Sequence, residues 1–320
     1  MGKSHSQFGR NKSVENDIQL SMNTKHKTWV AGAMLLAMAP FACAQWQTQS
    51  FDLVPGWNAI YLHVDATHVE ISEFANDTAV EEVWLWKPSG STAQYVVMPD
   101  APTDSKSRWL SWKVGLGDNT SEFSRMPGNL AYLVKLKKTV AQAVDAGGQP
   151  TGELTYQYAD PDDPRYTWNI KGKPVPPVYQ WTTTGLNFFG VPAVTGSSNS
   201  LTDYFQLAGY LLQNTRFFAY IGGEISSGTN PEQVYGTRLK IARRGEAYWM
   251  DAGAQFNRYF GPFDLTLQSA GGAHLGDTLS TYRIRLRNMT SANLTVSVTN
   301  VASDTPPAGQ TPIEGSAPVL

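Results

Sequence analysis

The sequence predicts an all-β chain: two related β-rich modules, an internal duplication, followed by an incomplete immunoglobulin-like β-sandwich. Three observations carry this reading. Short β-branched and aromatic runs punctuated by Gly, Pro, Asn and Asp recur along the chain, with few helix signals between them. A set of landmarks recurs twice in the same order. From Gly261 onward the apolar residues fall into strict alternation.

Ahead of these modules lies a leader, residues 1–44. Thr28 to Phe41 is an uncharged apolar run, preceded by Lys25 and Lys27 and followed by Ala42-Cys43-Ala44. This is the three-part pattern of a signal peptide, with small residues where a signal peptidase reads and cleavage expected between Ala44 and Gln45. The run falls short of the roughly 20 apolar residues that span a bilayer, so no transmembrane helix is expected in the mature chain. Residues 1–24 are polar and resemble neither signal nor fold; Met22 stands at the usual distance before a charged n-region, so translation starts there or the n-region is long. Cys43 is the single cysteine. A lipoprotein reading would acylate it, but Pro40 stands where lipobox signals carry an aliphatic residue. Cleavage after Ala44 leaves a mature chain without cysteine, held together by core burial alone.

The remaining 276 residues are long enough for two or three domains. The whole chain has 25 basic and 27 acidic residues; without the five basic and two acidic residues of the leader, 20 stand against 25. That acidic balance argues against nucleic acid or anionic lipid as the main partner.

In the first module, 45–178, strands are expected at Ala59 to Val64, Val80 to Trp86, Gln94 to Met98 and Leu130 to Leu136, with a helical turn at Ile71 to Ala75 capped by Ser72. The second module, 179–260, repeats the series. Gly56-Trp57-Asn58-Ala59-Ile60-Tyr61 pairs with Gly185-Leu186-Asn187-Phe188-Phe189-Gly190. A turn at Leu201 to Leu207, capped by Thr202, answers Ile71 to Ala75, and Val83-Trp84-Leu85-Trp86 answers Phe217-Phe218-Ala219-Tyr220 in the run Arg216 to Ile221. Each copy closes on a Gly-led aromatic motif, Gly128-Asn129-Leu130-Ala131-Tyr132 and Gly245-Glu246-Ala247-Tyr248-Trp249. Between the copies, Asp160 to Pro164 and Lys173 to Pro177 read as a stiff, Pro-rich linker. In 261–320, strands near Phe263, Tyr282 and Leu294 each present an apolar face, with Arg283, Arg285 and Arg287 opposite. Three strands do not close a two-sheet core, so this domain is expected to break off unfinished, with the proline-rich tail from Thr305 running extended across an edge.

The order Gly-Trp-Asn with an apolar strand, then Trp-x-Trp, then Gly-x-x-Ala-Tyr resembles modules found repeatedly in large exported bacterial proteins of no settled activity. Trp168-Asn169-Ile170-Lys171-Gly172-Lys173-Pro174, followed by Gly185-Leu186-Asn187, and Arg285-Leu286-Arg287-Asn288 resemble such proteins too. The resemblance spans most of Phe51 to Leu320 and implies no catalytic residues.

Chemistry-bearing candidates are few. Nine tryptophans follow the leader, and aromatic faces stack on sugar rings. Trp84 and Trp86 share a strand with Val83 and Leu85 on its other face, which reads as core. Trp109 and Trp112, among Ser105, Lys106, Ser107, Arg108 and Lys113, read as the partly exposed ligand-binding candidates. Asp160, Asp162 and Asp163 are the one candidate calcium site, without the Gly and distal Glu of an EF-hand; a solvated turn is the competing account. No other cofactor motif is present. His63, His68 and His274 lack metal-ligand spacing. No nucleophile elbow or phosphate loop appears, and Glu81, Glu82, Glu232 and Asp251 are acids near aromatic strands with nothing to select a catalytic pair. The expectation is an exported, non-enzymatic structural or adhesion protein of the cell surface, meeting a glycan or another surface protein. The alternative is a carbohydrate-binding module or glycoside-active enzyme using exposed tryptophans.

Overall fold

The computed structural model describes residues 15–21, 46–76, 78–86, 109–116, 120–138, 143–144, 150–151, 156–176, 186–191, 200–205, 215–225, 230–251, 263–268, 281–289, 293–297 and 301–310. The expected Ala44–Gln45 cleavage point, the apolar run of the leader and the Gln94 to Met98 strand lie outside them. In chain order the elements are β1 (Glu15–Ser21), β2 (Gln47–Leu53), β3 (Gly56–Leu62), β4 (Val64–Asp65), α1 (Ile71–Ala75), β5 (Val80–Trp86), β6 (Trp109–Lys113), β7 (Leu130–Leu136) and β8 (Ala143–Val144). There follow β9 (Pro150–Thr151), β10 (Tyr166–Pro174), β11 (Leu186–Gly190), α2 (Leu201–Tyr204), β12 (Arg216–Ala219), β13 (Glu232–Gln233), β14 (Ala247–Asp251), β15 (Phe263–Leu267) and β16 (Thr281–Asn288). The protein is nearly all β, its named ladders antiparallel. Among the described residues no helix is long and apolar enough to cross a membrane.

The first module is a four-stranded sheet in the order β3-β7-β5-β6, backed by a three-stranded sheet, β2-β10-β4, and by α1. Its strands carry apolar residues on both faces because both faces are covered. Toward α1 and the backing sheet point Ile60, Val83, Leu85, Trp112, Tyr132 and Val134, which pack with Phe51, Leu53, Ile71, Trp168 and Ile170. The Gly-Trp-Asn motif has a local cause: Asn58 accepts from Val54 N–H at 3.1 Å and donates to the Val54 and Gly56 carbonyls at 2.8 and 3.0 Å, fastening the turn into β3. Of the two segments expected as linker, Asp160 to Pro164 is in no strand, while Lys173 and Pro174 close a strand, β10, that fills the stretch between them. β10 pairs with β2 over seven residues and with β4 at its far end, because Trp168 and Ile170 alternate onto the module's core. Both helical turns form, but the cap of α1 is Glu70, without a side-chain cap bond, and Ser72 lies inside the helix. Thr202 likewise lies inside α2, its hydroxyl bonded to that of Thr237 at 2.9 Å.

The second module is a four-stranded sheet in the order β11-β14-β12-β13, one face of which packs Phe189, Phe217, Tyr248 and Met250 against Leu201, Tyr204 and Phe205 of α2 and its end. Its strand order matches that of the first module, with β11, β14, β12 and β13 in the places of β3, β7, β5 and β6. The registers match as well. Trp57, Ile60 and Tyr61 stand opposite Lys135, Tyr132 and Ala131; Leu186, Phe189 and Gly190 stand opposite Asp251, Tyr248 and Ala247. Val83 and Trp84 face Val134 and Leu133, as Phe217 and Phe218 face Met250 and Trp249. The pairs aligned in β3 with β11 and in β5 with β12 thus occupy corresponding ladder positions, whereas the Gly-led closing motifs are one residue out of step: Tyr132 answers Tyr248 and Ala131 answers Ala247, not Trp249 and Tyr248. One pair is reversed in sign: Glu82 opposite Lys135 in the first sheet corresponds to Arg216 opposite Asp251 in the second.

The last region has the expected three strands but not the expected third one. Its sheet is β1-β16-β15, so the third strand comes from residues 15–21, in the segment that reads as unstructured leader, while 293–297 belong to no strand. An edge contact lies just ahead of the proline-rich tail, which itself turns at Ala308 and Gly309. Trp46 N–H donates to Ser303 Oγ at 3.1 Å, Asp304 N–H to the Trp46 carbonyl at 2.8 Å and Thr48 N–H to Asp304 Oδ2 at 2.6 Å, along the outer edge of β2.

Candidate functional site

The most distinctive assembly is an aromatic seam where the two four-stranded sheets face each other. Trp57, Trp84, Trp86, Trp109 and Leu133 of the first sheet pack with Phe218 and Trp249 of the second, all buried. The rings meet mostly edge to face, with centroids of Trp86 and Trp249 4.9 Å apart, Trp109 and Trp249 5.9 Å, and Trp57 and Trp84 6.3 Å; Phe188 stacks on Trp249 at 4.7 Å. Such geometry sets the positive edge of one ring on the negative face of the next. The outer edge of β3 is closed by loops of the second module: Trp57 N–H donates to the Gly223 carbonyl at 2.9 Å, Gly222 N–H to the Trp57 carbonyl at 3.0 Å and Tyr61 N–H to the Gly245 carbonyl at 2.8 Å. An edge that would otherwise offer free ladder groups is thereby covered.

Trp109 and Trp112 do not form an exposed platform; they are 4% and 1% exposed. Both sit on β6, three positions apart, so they point to opposite faces of the sheet. Trp109 enters the seam beside Phe188 and Trp249, and Trp112, opposite Val83, enters the inner core. Sequence reading missed this because the pairing partner of 109–113 is β5, more than twenty positions upstream, and the short segment shows no period of its own. All eight described tryptophans are buried.

At one end of the seam sits a cluster of charges. Lys135 Nζ lies 3.5 Å from Glu81 and 3.6 Å from Glu82, whose other oxygen meets Lys113 Nζ at 3.1 Å and accepts from Trp84 Nε1–H at 2.7 Å. A bulge in β5 brings both glutamates to the one lysine. Lys135 also stands 5.8 Å from the Trp57 ring and Lys113 5.5 Å from that of Trp84. Asp251 pairs with Arg216. Of the four acids near aromatic strands, Glu81, Glu82 and Asp251 are thus committed to cations, and Glu232 is exposed on β13, in the other sheet from the two glutamates. The signal for this cluster, Glu81-Glu82 ahead of Val-Trp-Leu-Trp, is visible in the sequence; its lysines are not, since they come from β6 and β7.

The three aspartates occupy an exposed turn. Asp160 accepts from Asp162 N–H at 2.9 Å and Asp163 pairs with Arg165 at 2.9 Å, so the carboxylates of Asp160 and Asp163 serve the turn and an arginine. Among the described residues no group of three or more His, Cys, Asp or Glu is placed to hold a metal ion. His63 is buried beside Tyr61, ring centroids 5.0 Å apart, with its Nε2 unbonded. Desolvation, reinforced by the charge of Arg244, pushes its pKa down to about 3. His68 packs edge-on against Trp46 at 4.7 Å and is lowered in the same direction, chiefly by burial. Comparison of the chain with family models, with curated proteins and with solved structures returned no match.

Proposed function

We propose that this chain is an exported, non-enzymatic protein with a structural or adhesive role at the cell surface, its two modules descended from one by duplication. The observation that carries the reading is the use made of the aromatic residues. Tryptophans that a sugar-binding surface would display are spent on joining two sheets into one body, and the acids around them are neutralised in ion pairs. Such a chain invests in rigidity. The leader pattern supports export, and the matched strand order and register support duplication. A glycan array and a panel of chromogenic glycosides, run with the chain from Gln45 onward, test the reading. We expect no turnover, and hydrolysis would overturn the non-enzymatic assignment; saturable glycan binding would overturn a purely structural role. Location is tested separately, by fractionation and by mass measurement of the N-terminus, where material retained in the cytoplasm with its leader intact would overturn export.

A further inference from the structure

We infer that the outer edge of β16 is an exchange site. In the full-length chain Glu15–Ser21 occupies it; in the chain that begins at Gln45, the run starting at residue 293 folds back as a hairpin and takes the same edge. The inference rests on the proposed cleavage after Ala44.

β1 pairs with β16 over seven positions, Glu15 opposite Arg287, Asp17 opposite Arg285 and Gln19 opposite Arg283, with Ile18 and Leu20 opposite Ile284 and Tyr282. On the other side β15 places Asp264 opposite Arg287 and Leu265 opposite Leu286. β16 therefore has one polar row, its arginines, and one apolar row, and any strand on its free edge must alternate in phase with both. A slip of one residue would set apolar against arginine along the whole ladder.

If β1 departs with the leader, β16 loses one entire row of hydrogen-bonding partners, and an open edge of this kind recruits a strand. The nearest candidate follows β16 directly. Residues 293–297, Asn-Leu-Thr-Val-Ser, belong to no strand, yet they alternate exposed and half-buried and the sequence continues Val298-Thr299. With Leu294 set opposite Asn288, five residues close the turn, a permitted hairpin length. Val296 then stands opposite Leu286, and Thr295 and Ser297 stand opposite Arg287 and Arg285, so both rows are matched. The two occupants differ in what favours them. β1 has acidic residues, Glu15 and Asp17, at the register positions of two arginines, where the hairpin would have Thr295 and Ser297. The hairpin closes a five-residue loop, whereas Ser21 and Thr281 are 260 positions apart, and loop closure becomes less favourable with length.

The chain from Gln45 contains no cysteine, which makes disulfide trapping clean. Arg285→Cys with Ser297→Cys reports the hairpin, and Arg285→Cys with Asp17→Cys, in full-length chain carrying Cys43→Ser, reports β1. Arg285→Cys with Val296→Cys is the wrong-face control. Under mild oxidation we expect the 285–297 disulfide to form at least tenfold faster in the chain from Gln45 than in the full-length chain, and faster than the control. Hydrogen exchange on the unsubstituted proteins is the second reading, with the amides of 294–298 protected only after the leader is gone. Equal trapping in both lengths, or unprotected amides in the shorter chain, would overturn the exchange. Exported protein that retains residues 15–21 would instead overturn the cleavage reading, while the trapping comparison still decides whether the edge can change hands.

Discussion

At the scale of single residues, the costly features are charges and polar rings held without water. Lys135 is 8% exposed at its side chain and faces Glu81 and Glu82. Removing one partner of a buried ion pair leaves the other charge desolvated, which costs about 3–5 kcal/mol. Lys135→Ala is therefore expected to be among the most damaging single changes, and Lys135→Ala combined with Glu82→Gln to recover part of the loss in urea denaturation. A double variant no better than the single would show that the cluster is not coupled. His63 gives a pH signature with a definite sign. Its folded-state pKa of about 3 lies below the ordinary value of 6.5, so below that value the unfolded chain takes up a proton that the folded chain refuses. Stability is full above about pH 6.5 and declines by about 1.4 kcal/mol per pH unit as pH falls toward 3. Between pH 6.5 and 5 the wild type should lose about 2 kcal/mol more than His63→Leu; parallel losses in the two proteins would remove His63 from the account.

At the scale of elements, the seam depends on close approach as much as on ring size. A Cβ on Gly190 would lie 2.2 Å from the Tyr61 side chain, so β11 could not keep its present distance from β3. Gly56 has φ near +85° and a Cβ there would fall 2.4 Å from the Gly223 carbonyl. Gly190→Ala and Gly56→Ala should each lower the melting temperature and expose the seam tryptophans, read as a red shift of their emission; a change at an exposed surface glycine should not. What the sequence disclosed follows the same division. Period-two runs and paired landmarks marked β3, β5, β7, β11, β12 and β14, with the ladder positions of β3, β5, β11 and β12 aligned and those of β7 and β14 one residue out of step. Segments whose order is fixed by a distant partner stayed hidden: β6, whose tryptophans read as partly exposed, and β10, which lies between and partly within the Pro-rich segments that read as a linker. The candidate site fared similarly. Its glutamates were in view, but the lysines that neutralise them and the second sheet that covers the tryptophans arrive only through tertiary pairing.

At the scale of the whole molecule, the two modules are halves of one core. Residues 45–178 expressed alone would leave Trp57, Trp84, Trp86 and Trp109 uncovered on one sheet face, a patch that soluble monomers rarely tolerate. That fragment is expected to bind a hydrophobic dye and to self-associate, whereas a chain carrying both modules melts in a single transition; a dye-silent monomeric fragment would show the halves to be independent. The bonds joining Trp46 and Thr48 to Ser303 and Asp304 carry a mechanical implication. They bring the entry and the exit of the main body to one place. In the chain that begins at Gln45, tension applied between that N-terminus and the segment after 304 is borne first by this small clasp, and the sheets beyond it stay unloaded until it parts. Anchored at both ends, the chain would respond to pulling as a bead on a string, first yielding at the clasp and only later releasing the length stored in its modules.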